Sequence, residues 1–217
     1  MAALDFFVTM RSPYSYLAAD RVVALAERAG VELHLRPVYP IALRDPGFFE
    51  KADPAKLAYL RRDAERVAAM EGIAFGWPDP DPVVQDLDSG KVADDQPHIR
   101  HLSHLVAAAC LTGQGVAVYL TLAGLLFAGG PGWAEPGRLD AALASCGLDP
   151  AQFRNQAAVL APDCEALLQT NADALRAAGH WGTPSLGYRG EVFFGQDRID
   201  MCAWFMGLRS VRPSPGG

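Results

Sequence analysis

Hydrophobic and polar positions change rhythm twice along the chain. Leu4 to Thr9 (LDFFVT) is a dense run of apolar and aromatic residues and predicts a short strand. Ser12-Pro13 then reads as a capping side chain followed by proline at the first helical position. Apolar positions at Leu17, Val22, Val23, Leu25 and Ala26 carry that helix to Gly30, which stops it. Val31 to Val38 (VELHLRPV) alternates with period two, a second strand. From about Pro40 to Ala178 the spacing is helical. Segments are expected at Ala55–Glu71, His98–Thr112, Gly115–Phe127, Pro136–Cys146, Asp149–Leu160 and Asp163–Ala178, and the rigid break Pro78–Pro82 interrupts them. Alternation then returns. Ser185–Tyr188 and Glu191–Phe194 predict a hairpin about Arg189-Gly190, Asp197–Leu208 a final helix, and Pro213–Gly217 a frayed tail.

Composition narrows the class. The chain has 217 residues, of which 50% are hydrophobic and 20% charged, enough for a sizeable core. Its net charge of -6 repels phosphate backbones, so nucleic acid is not an expected partner. No apolar run reaches the ~18 residues that a membrane helix needs. The strand pattern begins without a basic leader region, so the cytoplasm is the expected location. The four cysteines, Cys110, Cys146, Cys164 and Cys202, form no C-x-x-C, so neither a zinc pair nor a redox dithiol is written here. Each falls in an apolar helical stretch and reads as packing.

Candidate chemistry sits at the two ends of the chain. Met10-Arg11-Ser12-Pro13-Tyr14-Ser15 places Ser12 on a helix N-terminus, where free N–H groups and the positive end of the dipole favour an anion. Trp181-Gly182-Thr183-Pro184 precedes a hairpin strand, and Phe194-Gly195-Gln196-Asp197-Arg198 turns the last strand into the last helix. His180 adjoins the second of these and is a further candidate. His98, His101 and His104 recur every third residue, but such a row diverges along a helix, so no metal site is expected. Asp79 and Asp81 read as a solvated loop.

These pieces, in the order β-α-β, helices, β-β-α, resemble the DsbA-like thioredoxin family. More narrowly, they resemble the 2-hydroxychromene-2-carboxylate isomerases and the related kappa-class glutathione transferases. The matching residues are SPYSYLA (12–18), RPV (36–38), YLRRDAERVA and GIAF within 59–75, and GHWGTPSLGYRGEVFFGQDRID (179–200). The resemblance implies an α/β, thioredoxin-like fold split by a large all-helical insertion. Residues 1–40 and 179–217 would make up the thioredoxin-like part and residues 41–178 the insertion. It implies glutathione as cofactor, with Ser12 catalytic. Glutathione would be held by Ser12, by Thr183 before a cis Pro184, and by Phe194, Gly195, Gln196 and Asp197. It implies Arg44 as the cation for a substrate carboxylate. Tyr14, Tyr16, Tyr39 and Trp181 are candidates for the wall against a flat aromatic substrate. After Arg44 the family often has Gly-Asn, whereas this chain reads Asp45-Pro46-Gly47-Phe48-Phe49, and Ala58 stands where a lysine is frequent.

The resulting expectation is a glutathione-dependent isomerase of a 2-hydroxychromene-2-carboxylate-like compound. A kappa-like transferase is the alternative. A thiol-disulfide oxidoreductase ranks lower, because Ser12 and Ser15 supply no attacking thiolate. A non-enzymatic binder of glutathione or an aromatic acid is the remaining class. Expected partners are glutathione and a small aromatic molecule, with a homodimer as the assembly to look for.

Overall fold

In the computed structural model, which describes residues 2–86, 89–135 and 137–208, the first strand is the centre of the molecule. Strand β1 (Ala3–Val8) pairs in parallel with β2 (Glu32–Pro37) on one edge and antiparallel with β3 (Ser185–Tyr188) on the other. Strand β4 (Glu191–Phe194) closes the sheet, giving the order β2-β1-β3-β4. Both faces of β1 are covered, which explains its nearly unbroken apolar run. Leu4, Phe6 and Val8 join the main core, with Phe6 edge-on to Tyr119 at 6.3 Å between ring centroids. Phe7 points the other way, against Val38, Ala172 and Leu175.

Helix α1 (Pro13–Ala29) leaves β1 through a short loop and packs its Val22 and Leu25 into that main core. Its caps are those expected: the Ser12 side chain accepts from the Ser15 N–H, and Gly30 is left-handed at φ 62°. After β2 come a short α2 (Ile41–Arg44), α3 (Pro54–Glu71), α4 (Pro97–Leu111), α5 (Gly115–Phe127), α6 (Arg138–Ser145), α7 (Pro150–Val159) and α8 (Ala161–Ala177). A single 3-10 turn, Gln196–Arg198, precedes α9 (Ile199–Phe205). Most buried apolar residues of the sheet and of α4–α8 form one continuous cluster, in which Leu102, Leu105 and Leu122 are fully enclosed. Asn171, buried on α8, donates to the Pro37 carbonyl at 2.9 Å and fastens that helix to the end of β2.

Three details depart from expectation. The described residues of 73–86 and 89–96 are not helical: they are extended loop, with a bridge joining Gln85 to Val92. The final helix is shorter than Asp197–Leu208, because its first turn is tight 3-10. Residues 45–52 fold as turns in place of helix, as Pro46 and Gly47 would impose. The tail Pro213–Gly217 and the Pro136 start of one expected helix lie outside the described residues.

Leu102 is 0% exposed at the middle of α4. Leu102→Ala is expected to lower unfolding stability by about 2–5 kcal/mol through the cavity it leaves. In a denaturant titration the midpoint should fall while the slope stays fixed.

Candidate active site

Ser12 stands where β1 becomes α1. The loop before it is held by the Arg11 N–H donating to Thr9 Oγ1 at 3.0 Å. Ser12 Oγ accepts from the Ser15 N–H at 3.2 Å and donates across to the Thr183 carbonyl at 3.4 Å. The second contact joins residues at opposite ends of the sequence. The Thr183-Pro184 bond is cis, as expected.

The cis loop is built from behind by small residues. Ser185 Oγ donates to the Gly182 carbonyl at 2.8 Å, and the Pro184 carbonyl accepts the Gly195 N–H at 2.9 Å. A Cβ on Gly182 would come within 2.5 Å of the Phe194 ring, so only glycine fits that close approach. The Phe194 ring stacks on His180 at 4.0 Å, and His180 stacks on Trp181 at 5.4 Å. His180 Nδ1 accepts the Gly182 N–H at 2.9 Å, and burial lowers its pKa, so the ring is neutral near pH 7 with its proton on Nε2.

Ser12, Thr183, Pro184, Phe194 and Gly195 therefore meet at one place. Gln196 is held from α1, its side-chain oxygen accepting from Arg21. The Asp197 carboxylate folds back over Gly195, where a Cβ would lie 2.5 Å from its oxygen. Arg44 reaches the same loop: Nη2 donates to the Trp181 carbonyl at 2.8 Å and Nε to the Tyr39 carbonyl at 2.6 Å. Burial, with the Arg176 guanidinium near, pulls the Arg44 pKa down to about 10. Among the described residues no carboxylate is paired with it.

Two of the candidate wall residues have other duties. The Tyr14 hydroxyl donates to Asp63 at 2.7 Å on α3, and the Tyr39 hydroxyl donates to Glu165 at 2.7 Å on α8. Burial and these carboxylates raise both phenol pKa values. Neither ring belongs to the stack on Trp181. A residue outside the sequence-predicted set meets this group edge-on: Phe48, whose ring is 5.4 Å from that of Trp181 at an interplanar angle of 60°. Phe49 lies beside it and under the Arg11 guanidinium at 5.3 Å. Arg11 was also missed. It is clamped by Asp81 at 3.0 and 2.9 Å, with Gln85 Oε1 at 2.7 Å. Asp81 is thus an ion-pair partner and not a solvated loop residue. The signal was present as an arginine beside Ser12 and two adjacent phenylalanines in a turn, but its partners lay some seventy residues away.

The histidine row splits. His98 packs edge-on to Trp133 at 5.3 Å, while His104 sits 2.9 Å from Glu165. The cysteines stay away from Ser12. Cys110, on α4, donates to the Leu35 carbonyl of β2; Cys146 lies beside Thr121, Cys164 under the His104 carbonyl and Cys202 on α9 beside Met206. Burial pushes the Cys110 and Cys202 thiols up to about 12.

The profile of the DSBA-like thioredoxin domain matches residues 3–206. The chain belongs to this DsbA-like thioredoxin family. Comparison with curated proteins finds no match. Among solved structures, a 2-hydroxychromene-2-carboxylate isomerase is similar over 94% of each chain, with a TM-score of 0.70 and 21% identity. A probable DsbA oxidoreductase from Streptomyces coelicolor covers 98% of this chain and 93% of its own at TM-score 0.65 and 18% identity. The cytosolic disulfide reductase DsbM from Pseudomonas aeruginosa, solved with GSH, covers 94% of this chain and 97% of its own at TM-score 0.58 and 16% identity. At such identities these likenesses establish the DsbA-like fold. The fold now has a local reading: this member carries serine at both the first and the fourth position of the loop-to-helix motif, Ser12 and Ser15.

A cysteine placed at Ser12 would face the N-terminus of a 17-residue helix. Ser12→Cys is expected to show a thiol pKa below the ~8.5 of a free cysteine. Alkylation rate against pH should resolve it from the slow native cysteines. On exposure to oxidised glutathione the variant should retain one glutathione by mass, because Ser15 supplies no resolving thiol.

Proposed function

We propose that the protein is a glutathione-dependent isomerase of a 2-hydroxychromene-2-carboxylate-like aromatic compound. The observation that carries this reading is Ser12 Oγ at the N-terminus of α1, 3.4 Å from the Thr183 carbonyl beside cis Pro184, with every cysteine elsewhere. Such a site can stabilise a thiolate but contains none, so the thiol must arrive with a ligand.

The residues fit a peptide-like thiol. The Thr183 N–H has no hydrogen-bond partner among the described residues, and its carbonyl is only weakly held, so both can pair with a peptide backbone. With the Gly195 N–H taken up by the Pro184 carbonyl, Gln196 and the Asp197 carboxylate present an amide and an anion suited to an α-amino acid terminus. Glutathione, when bound, supplies a thiolate that adds reversibly to a conjugated carbon and is released unchanged. The Ser12 hydroxyl donates a hydrogen bond to the anionic sulfur, and the first N–H groups of α1 add the positive end of their dipole. Arg44, half-buried and without a counter-ion among the described residues, takes the substrate carboxylate. Trp181 supplies an exposed ring face against which a flat substrate packs.

A kappa-like glutathione transferase is the second reading. The apolar pair Phe48-Phe49 favours it, because these rings suit an uncharged electrophile as readily as a chromene acid. Stoichiometry separates the two. With limiting glutathione and a chromene carboxylate, the isomerase converts many equivalents of substrate with no loss of thiol. The transferase consumes one thiol per product. Ser12→Ala is expected to raise the pKa of the bound thiol by about one to two units, the worth of a hydrogen bond to a charged group. Titration of the thiolate's ultraviolet absorbance reads this directly, and identical curves for wild type and variant would remove Ser12 from the mechanism. The wild type is expected to show no insulin reduction.

A further inference from the structure

The His180 ring is fixed in place and keeps one polar atom unengaged. Nδ1 accepts the Gly182 N–H at 2.9 Å. The ring lies nearly parallel to those of Phe194, 4.0 Å away at 23°, and Trp181, 5.4 Å away at 14°. The Gly182 N–H that it holds belongs to the residue before Thr183, whose carbonyl accepts from Ser12 Oγ at 3.4 Å. Nε2 has no hydrogen-bond partner among the described residues, and it is not enclosed by them. These contacts decide what the ring can do. An acceptor at Nδ1 puts the proton on Nε2, so Nε2 cannot act as a base. A second proton could go only on Nδ1, where it would meet the Gly182 N–H head-on. What is left is a neutral N–H donor held in a fixed direction. Support of the loop does not call for it: an asparagine would satisfy Gly182 and a phenylalanine would fill the stack, neither with an N–H on the far edge.

We propose that the Nε2–H of His180 is a catalytic hydrogen-bond donor, which takes the oxygen that becomes negative when a thiolate adds to a conjugated carbonyl compound. This inference rests on the reading above and deepens it by one residue. In such an addition the sulfur lone pair forms the C–S bond. The C=C pair moves to the bond beside the carbonyl, and the carbonyl pair moves onto oxygen. Reversal breaks the C–S bond and returns the same electrons, so nothing is oxidised or reduced. The Nε2 proton stays on nitrogen throughout. A neutral donor suits this task, because it steadies the charge on oxygen without handing over a proton that would trap the adduct. The hydrogen bond strengthens as charge develops, and a donor already fixed in direction needs no reorganisation. The two sides of the cleft then have different duties. Ser12 and the N-terminus of α1 support charge on sulfur before addition, and His180 supports it on oxygen afterwards.

The test uses the full chain without glutathione, so its failure is distinguishable from failure to turn over a chromene acid. The probe is 4-nitrophenol, whose colour reports the charge on its oxygen. Wild type should lower the pKa of the bound phenol by about one unit or more, the worth of a hydrogen bond to a charged group. Two variants separate donating from holding the loop. In His180→Asn the side-chain carbonyl stands near the place of Nδ1 and still accepts from Gly182, but the far donor is gone. In His180→Gln the amide reaches toward the place of Nε2 and still donates, but the Gly182 acceptor is lost. The shift should vanish in His180→Asn and largely persist in His180→Gln. If His180→Gln does not fold, wild type against His180→Asn decides. A phenol shift in a wild type that never turns over a chromene acid supports the donor and overturns the isomerase reading. No shift in wild type, no binding of 4-nitrophenol to the folded protein, or an equal shift in His180→Asn overturns the proposal. A shift kept by His180→Asn and lost by His180→Gln does so too, and makes His180 a support of the loop alone.

Discussion

The pairing of β1 on both edges governs the rest of the structure. Its parallel partner β2 follows it closely in the chain, but its antiparallel partner β3 arrives only after the whole helical segment. That second pairing brings Ser185 opposite Phe7. It sets Thr183 and Pro184 beyond the end of β1, facing the first turn of α1. No side chain of the site could place itself there. The ladder fixes the register, and the register fixes which backbone groups meet Ser12.

Around that frame the site is polar in a lopsided way. The helix N-terminus and Arg44 are positive features with no acidic partner among the described residues, whereas Arg11 and the tyrosines Tyr14 and Tyr39 are each matched to a carboxylate. The matched groups lock loops and helices together. The unmatched ones are where binding energy is available, since an anion arriving there replaces water without breaking an internal pair. Serine at both motif positions fits this division: Ser12 sits in the field of a helix N-terminus, which favours an anion, without bringing a thiol of its own.

The strands, the α1 caps and the hairpin were legible because each is a local pattern. Ser12-Pro13, Gly30 and Arg189-Gly190 carry their conformations in their own chemistry. The principal contacts of the site were legible only through resemblance, since nothing near Thr183 announces that Ser12 will lie across from it. What stayed hidden had no local signature at all. Asp81 sits between prolines and looks solvent-bound until the fold brings Arg11 to it. Tyr14 and Tyr39 looked like a ring wall by position in the sequence, yet a phenol near a carboxylate turns toward it. Phe48 and Phe49 sit where the resemblance was weakest, so there was no pattern to say that their rings would meet Trp181 and Arg11.

The bond between Ser12 and Thr183 closes a separation of 171 residues. During synthesis the ribosome releases β1, α1 and β2 first, and they wait with one sheet edge open while the helices emerge. Strands β3 and β4 leave the exit tunnel only after the whole helical segment. The pairing that sets Thr183 across from Ser12 thus waits until all of those helices have been made. A prematurely ended chain can carry most of the residues and most of the core, yet have no cleft to fill.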